Sequence, residues 1–240
     1  MIVGITRVRN EALIIEDTLR HALDHVDQVF LYDDASTDAT LEIASSFDRV
    51  TVVRGDEWRT DRPAEETRHR ALLLDLAREA GAEWCWCFDA DERVYGAFSS
   101  VLDWPDTDAY RFRLFDGYLS PGFDEPYLGG DLASLPRMWG PEYRDIIMLF
   151  RIAAATYEGR DRREPLISGR VHQSNITVKH FGKCLSVEHW EETCDYYANH
   201  WPEPYRSKWA ARRGKAVHDK SDFGRPLYRW DEVAKHGVNL

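Results

Sequence analysis

Cysteine is scarce: four residues in 240, at Cys85, Cys87, Cys184 and Cys194. So few, so scattered, exclude a disulfide scaffold. Cys85 and Cys87 sit two apart in an apolar run, where strand side chains share a face. No second cysteine pair completes a zinc site, so both are read as core thiols. Positive charge is also short. Lys and Arg total 31 against 42 Asp and Glu, a formal charge of -11. That excludes a general affinity for nucleic acid, although a local basic groove stays compatible with it. No apolar run approaches the length of a membrane span, and the N-terminus carries no basic-then-apolar signal pattern. The expected location is cytoplasmic. Internal repeats, low-complexity tracts and linkers are absent from the sequence too.

What is present is core-forming material. Hydrophobic residues make up 43% and aromatics 12%, enough for a sizeable core. The first hundred residues alternate strand and helix. Ile2–Thr6 reads as a buried strand and Arg7–Glu11 as a strand-to-helix loop. Ile15, Leu19, Ala22, Leu23 and Val26 recur at helical spacing. Val29–Tyr32 is a second strand ending at Asp33 and Asp34, with Thr37 or Asp38 expected to cap the next helix. Leu41, Ala44 and Phe47 mark that helix's apolar face, and Val50–Val53 is a third strand. A polar loop from Asp56 to Pro63, with Arg59 and Arg62, leads to a long helix over about Ala64–Ala80, with Gly81 just beyond its end. Trp84–Phe88 is the fourth strand. This pattern predicts an α/β fold with a mainly parallel, mixed sheet flanked by helices.

The fourth strand runs straight into Asp89-Ala90-Asp91-Glu92. Ligands of parallel α/β sheets bind beyond the carboxyl ends of the strands. Alternation along the chain turns Asp89 and Asp91 to one side and Ala90 to the other. Two adjacent hard oxygen ligands suit Mg²⁺ or Mn²⁺ and, through the metal, a diphosphate. By itself the stretch reads equally as an acidic turn that solvates a strand end.

The second half is less regular. Tyr110–Phe115 alternates like a half-exposed strand. Asp116 to Arg144 reads as a long loop rich in Gly and Pro, whose aromatics Tyr118, Phe123, Tyr127, Trp139 and Tyr143 would line an acceptor pocket or pin the loop to the core. Ile146–Phe150 and Ile176–His180 are further strands. Ser186 is expected to cap a helix containing Trp190, Cys194, Tyr197 and Ala198. The basic tail from Arg206 to Lys215 reads as a solvated helix face, open also to an anionic acceptor.

The ordered set strand, Arg-Asn-Glu, helix, strand, Asp33-Asp34-Ala-Ser-Thr-Asp38, helix, strand, helix with Thr67-Arg68-His69-Arg70, strand, Asp89-Ala90-Asp91-Glu92 resembles the family-2 glycosyltransferases with a GT-A fold. The likeness runs over about residues 1 to 95 and thins toward 200. It implies one GT-A domain, with a nucleotide-sugar-binding half (1–100), an acceptor and metal half (101–185) and a helical extension (186–240). It implies a donor site made by Arg7, Arg9 and Glu11 of the first loop, Asp34 against the base, Arg68, and Asp89 at the ribose, with Arg59 and Arg62 as further phosphate candidates. It makes Asp91 the ligand of Mn²⁺ or Mg²⁺, joined by His180 of His180-Phe181-Gly182-Lys183, with His172 a weaker competitor. Asp145, then Glu142, matches the position of the catalytic base of an inverting enzyme. The expected donor is a UDP-sugar. The acceptor class stays open among glycans, lipid-linked intermediates, metabolites, proteins and modified nucleic acid. Competing readings are a nucleotidyltransferase, which would want a glycine-rich first loop, a non-catalytic nucleotide- or sugar-binding module, and a phosphohydrolase, which would want more His and Asp pairs.

Overall fold

The computed structural model describes residues 1–59, 61–102, 106–160 and 163–240; Thr60, in the expected Asp56–Pro63 loop, lies outside them. The chain forms two compact units built from interleaved segments. The first comprises Met1–Ala90, Gly96–Phe112 and Ile146–Ile176; the second comprises Asp91–Tyr95, Arg113–Asp145 and Thr177–Leu240.

In the first unit, β1 (Ile2–Val8), β2 (Gln28–Asp33), β3 (Val50–Arg54) and β4 (Trp84–Cys87) alternate with α1 (Ile15–Leu23), α2 (Thr40–Ser45) and α3 (Arg62–Glu79). The order β3-β2-β1-β4 is parallel throughout. β1 sits centrally and is buried almost end to end, as an apolar run covered on both faces must be. β7 (Met138–Arg151) then joins β4 antiparallel, pairing Trp84 with Arg151, and β6 (Ala109–Tyr118) and β10 (Val171–His180) follow in order. A mixed sheet with a parallel nucleus is the expected architecture.

One core face packs Leu73, Leu74 and Ala77 of α3 on Val3, Ile5, Phe30, Tyr32, Cys85 and Cys87. On the other, Trp86 stacks on Phe88 at 4.3 Å and meets His25 and Phe98 edge-on. The amphipathic α1 buries Ile15, Thr18, Leu19 and Ala22. All four cysteines are free and buried, so the core-thiol reading of Cys85 and Cys87 stands.

In the second unit, β5 (Glu92–Tyr95) pairs antiparallel with β10, His180 opposite Glu92, and β11 (Val238–Asn239) pairs parallel with β7. Trp139, Phe181, Trp230, Phe115 and Tyr95 form its aromatic centre. Lys179 lies among three of those rings, 4.5 Å from Tyr95 and 5.0 Å from Trp230, and donates to the Ala133 carbonyl at 2.8 Å. Ser186 caps α5 (Val187–His200) by accepting the His189 N–H at 3.1 Å.

Three expectations are corrected. α3 starts at Arg62, because Pro63 fits the first helical turn, where no N–H is needed. The first hundred residues hold five strands rather than four, since Glu92–Tyr95 pairs with a partner far along the chain. The long Gly/Pro-rich loop shrinks to residues 119–137, with a 3₁₀ turn at Leu132–Ser134. Asp116, Tyr118, Glu142, Tyr143 and Asp145 therefore lie in strands. Gly140 misleads the eye. It marks no turn but admits the Tyr118 ring, whose Cε2 would stand 3.0 Å from an added Cβ.

Gly4 has the same function in β1, where a Cβ would meet Phe88 Cε1 at 2.9 Å and Val29 Cγ2 at 3.3 Å. Gly4→Val should destabilise the first unit by about 1–3 kcal/mol through overpacking. Urea unfolding would report it as a lower midpoint, and an unchanged midpoint would contradict the packing argument.

Candidate functional site

The strand-end loops of the first unit are stitched together by short polar side chains. Ser36 Oγ accepts the Asn10 N–H at 3.0 Å, Asn10 Oδ1 accepts the Thr37 N–H at 2.8 Å, and Asp38 accepts from Ala12 and Thr40. Asp38 does this from just before α2, whose N-cap position is Ala39, so the expected cap is displaced by one residue. Asn10 and Ala35 both hold a positive φ of 55°. For alanine that conformation costs about 1–2 kcal/mol, a strain found where a loop is held for function.

These loops frame Asp34, which is 1% exposed. A carboxylate this buried must be met by charge. Arg7 Nη2 donates to its Oδ2 at 2.8 Å, and the fully buried Arg62 donates to the same oxygen. Arg7 also pairs with Glu66 at 3.0 Å. Arg9 donates to the Asp34 and Ala35 carbonyls at 2.6 Å each. The guanidiniums of Arg9 and Arg62 both lie 3.7 Å from the Trp58 ring centroid. The Glu11 carbonyl accepts the N–H groups of Ile14 and Ile15 at the start of α1.

Arg68 pairs with Glu65 at 2.6 Å and reaches the Tyr32 hydroxyl at 3.4 Å, while Arg62, expected as a phosphate candidate, meets Asp34. Helical spacing separates the two: Arg62 is at the first turn of α3 and Arg68 is nearly two turns further on. Arg59 is half-exposed and approaches Glu57 and Glu65. His172 lies in the first-unit part of β10.

Asp89 is gripped at both oxygens. The buried Arg70 donates to Oδ1 at 3.1 Å and Arg163 Nε approaches Oδ2 at 3.0 Å. Neither arginine stood out in the sequence. Arg70 follows Arg68 by two positions, and Arg163 is far along the chain.

The second unit carries a separate charged cluster. His180 Nε2 is 3.2 Å from Asp91 Oδ2, and His180 Nδ1 is 2.6 Å from Asp116 Oδ1. Asp116 is also met by Lys183 and Arg144, each at 2.8 Å. Lys183 continues to Asp222 at 2.7 Å, and Asp222 to Arg212 at 2.8 Å. Charges thus alternate from Asp91 through His180, Asp116, Lys183 and Asp222 to Arg212. Burial pushes the Asp116 carboxyl up, but Lys183, Arg144 and His180 outweigh it and hold it well below the usual range. Burial likewise disfavours the His180 imidazolium, yet Asp91 and Asp116 raise its pKa to about 10. Asp116 and Asp222 escaped sequence reading, and Lys183 entered it only as the last residue of His180-Phe181-Gly182-Lys183. Their one signal is an acid closing the alternating strand Tyr110–Phe115.

The two acids matched to a catalytic base differ in setting. Glu142 is 6% exposed, accepts from Ser221 at 3.0 Å and lies 3.4 Å from Arg225. Ser221 in turn accepts from the Phe223 and Arg225 N–H groups, so Glu142 anchors the turn that carries Asp222. Asp145 is half-buried near the middle of β7 and accepts from Asn239. Arg137 donates to the Cys184, Glu125 and Leu185 carbonyls.

His69 supplies a pH probe of the first unit. It is 1% exposed, stacks on Tyr32 at 3.7 Å and lies 2.9 Å from Arg68 Nη2. Burial, then Arg7 and Arg68, push its pKa down from 6.5 to about 3. The unfolded chain takes up this proton below 6.5, and the folded chain does not until about 3. The stability tied to neutral His69 is therefore complete above that upper value and lost as pH falls toward the lower one. His69→Phe, which keeps the stacking, should lose less stability than wild type between pH ~7 and ~5 in denaturant titrations. Equal losses would contradict the assignment.

The comparisons with known proteins can be set beside this geometry. The model of "Glycosyl transferase family 2" matches residues 5–102. A search of curated protein sequences found no match. Among solved structures, a mannosyltransferase from Pyrobaculum calidifontis in complex with GDP-Man and Mn²⁺ is similar at 17% identity, over 88% of this chain and 68% of that one, with a TM-score of 0.45. A mannosyl-3-phosphoglycerate synthase from Rubrobacter xylanophilus is similar at 18% identity, over 57% and 44%, with a TM-score of 0.36. A 4-diphosphocytidyl-2C-methyl-D-erythritol synthase is similar at 11% identity, over 64% and 75%, with a TM-score of 0.40. The family match covers the parallel nucleus and the strand-end loops that carry Asp34, Asp89 and Asp91, and it supports a glycosyltransferase.

Proposed function

We propose that the protein transfers a sugar from a UDP-sugar to an acceptor hydroxyl with inversion, using Mn²⁺ or Mg²⁺, and that the whole chain serves this one catalytic task. The observation that carries the reading is the meeting of Asp91 and His180, at 3.2 Å, from distant parts of the sequence.

The residues fit a divalent cation. Asp91 Oδ2 and His180 Nε2 converge beside Gly182, where an added Cβ would stand 2.4 Å from the first and 2.9 Å from the second. Glycine leaves that space open. Asp116 holds Nδ1 from behind, the outer partner that fixes the ring of a metal-binding histidine. An imidazole in the set favours Mn²⁺. Among the described residues no group of three or more His, Cys, Asp or Glu is arranged to hold a metal. Two protein ligands, with phosphate oxygens and water as the others, is the arrangement usual for a cation that binds with its nucleotide. When bound, the cation neutralises charge on the departing diphosphate.

The remaining roles fall to the chain's own groups. Asp34 accepts the imide N–H of uracil, held in place for that bond by Arg7 and Arg62. Arg9 lies against the base, and Asp89 accepts from the ribose hydroxyls. Asp145 takes the proton of the attacking hydroxyl. It suits this better than Glu142, whose carboxylate is buried and bonded to Ser221. Glu142 is second choice. No helix among the described residues is long and apolar enough to cross a membrane, and we place the enzyme in the cytoplasm.

Binding of Mn²⁺ with UDP at about 100 times the dissociation constant should add about 2.7 kcal/mol, or about 5–10 °C in melting temperature. Asp91→Asn should remove most of that gain. A wild-type melting temperature unmoved by any nucleoside diphosphate with Mn²⁺ would sink the donor assignment. Asp116→Asn, which leaves Asp91 and His180 in place, should weaken Mn²⁺ binding about 10–100-fold by calorimetry. Unaltered affinity would show that Asp116 does not orient the histidine.

A further inference from the structure

We infer that Arg163 is a specificity-determining residue. It fixes the Asp89 carboxylate so that the enzyme distinguishes ribonucleotides from deoxyribonucleotides. This rests on the proposed donor reading, in which Asp89 meets the ribose.

Asp89 stands at the end of β4 and is 34% exposed at its side chain, so one edge faces solvent. An exposed carboxylate normally swings among rotamers. This one is held at both oxygens by two arginines from different elements. Arg70, from α3, takes Oδ1 at 3.1 Å and is itself steadied by Glu66 at 3.6 Å. Arg163, from the segment before β9 (Leu166–Ile167), takes Oδ2 through Nε at 3.0 Å. Its Nη1 lies 3.4 Å from the Cys87 carbonyl and 3.2 Å from Cys87 Sγ, at the end of the strand that carries Asp89. Arg163 therefore bridges the strand end and the carboxylate. It thereby restrains the Asp89 carboxylate at Oδ2.

That geometry is needed to accept from sugar hydroxyls, whose positions are fixed by the ring. Arg163 adds a contact at Oδ2 to the one that Arg70 makes at Oδ1. With Arg163 present, a hydrogen bond to the 2′- or 3′-hydroxyl forms without first ordering the carboxylate. The entropy of that ordering is met in the folded protein. Only ligands with the hydroxyl benefit. Arg163 thus strengthens ribonucleotide binding and leaves deoxyribonucleotide binding nearly untouched.

The test is calorimetric titration of the full chain, with Mn²⁺, by UDP and GDP and by their 2′-deoxy and 3′-deoxy forms. Wild type should prefer at least one ribonucleotide over a deoxy form by about tenfold or more, the value of a hydrogen bond to a charged group. Asp89→Asn should reduce that ratio strongly. Arg163→Gln should compress it to about threefold or less, with the deoxy affinity held within about twofold. Arg163→Lys keeps the charge without the planar fork and should fall between. It carries the same comparison if the glutamine variant unfolds. An Arg163 variant that binds with the wild-type ratio overturns the inference and leaves the donor reading standing. Equal loss for ribo and deoxy forms also overturns it, because that marks a merely structural or phosphate-binding arginine. Failure of wild type to bind any of these nucleotides overturns both.

Discussion

A carboxylate withdrawn from water must be answered by positive charge, and this requirement arranges the chemistry of the protein. Asp34 is answered by Arg7 and Arg62, Asp89 by Arg70 and Arg163, and Asp116 by Lys183, Arg144 and His180. Replacing a buried ion pair by apolar groups is often neutral or stabilising, so stability alone does not explain why such pairs are kept. Fixed orientation does. Each of these acids is held in one orientation by its cations, and the net charge of -11 conceals locally balanced clusters.

The two charged clusters use the requirement differently. Around Asp34, Arg62 and Arg9 also lie over the Trp58 ring, so the carboxylate is buried behind its own cations. In the second unit the charges run in series, and a change at one reaches the next. Asp222 bears on Lys183, Lys183 on Asp116, Asp116 on His180. Glu142, first considered as a base, supports that series by anchoring the turn that holds Asp222.

The parallel nucleus was legible in the sequence because a strand covered on both faces has to be apolar over its covered length, and Ile2–Ile5, Val29–Tyr32 and Trp84–Cys87 are. Their polar ends then located the loops, including Asp34, Asp89 and Asp91. Strands of the second half were harder. β6 and β7 extend through Tyr118 and Gly140, where punctuation by glycine and proline has a packing cause rather than a turn. Among site residues, acids were easier to place than their partners. An acid at a strand end is a local signal, whereas Arg163 becomes relevant only after the chain has returned to Asp89. Arg62 and Arg68 show the limit clearly. Both lie at or near the start of one helix, and which of them meets Asp34 depends on helix phase against the sheet.

The interleaving of the two units has a consequence for how such a protein changes over evolutionary time. Each unit is assembled from three separate stretches, and three of the five divisions fall within β6, β7 and β10. No single breakpoint in the gene releases either unit whole. Shuffling by recombination would cut strands in half and expose unpaired backbone. New specificity must therefore come by substitution and by lengthening loops such as residues 119–137, while the pair of units is inherited together.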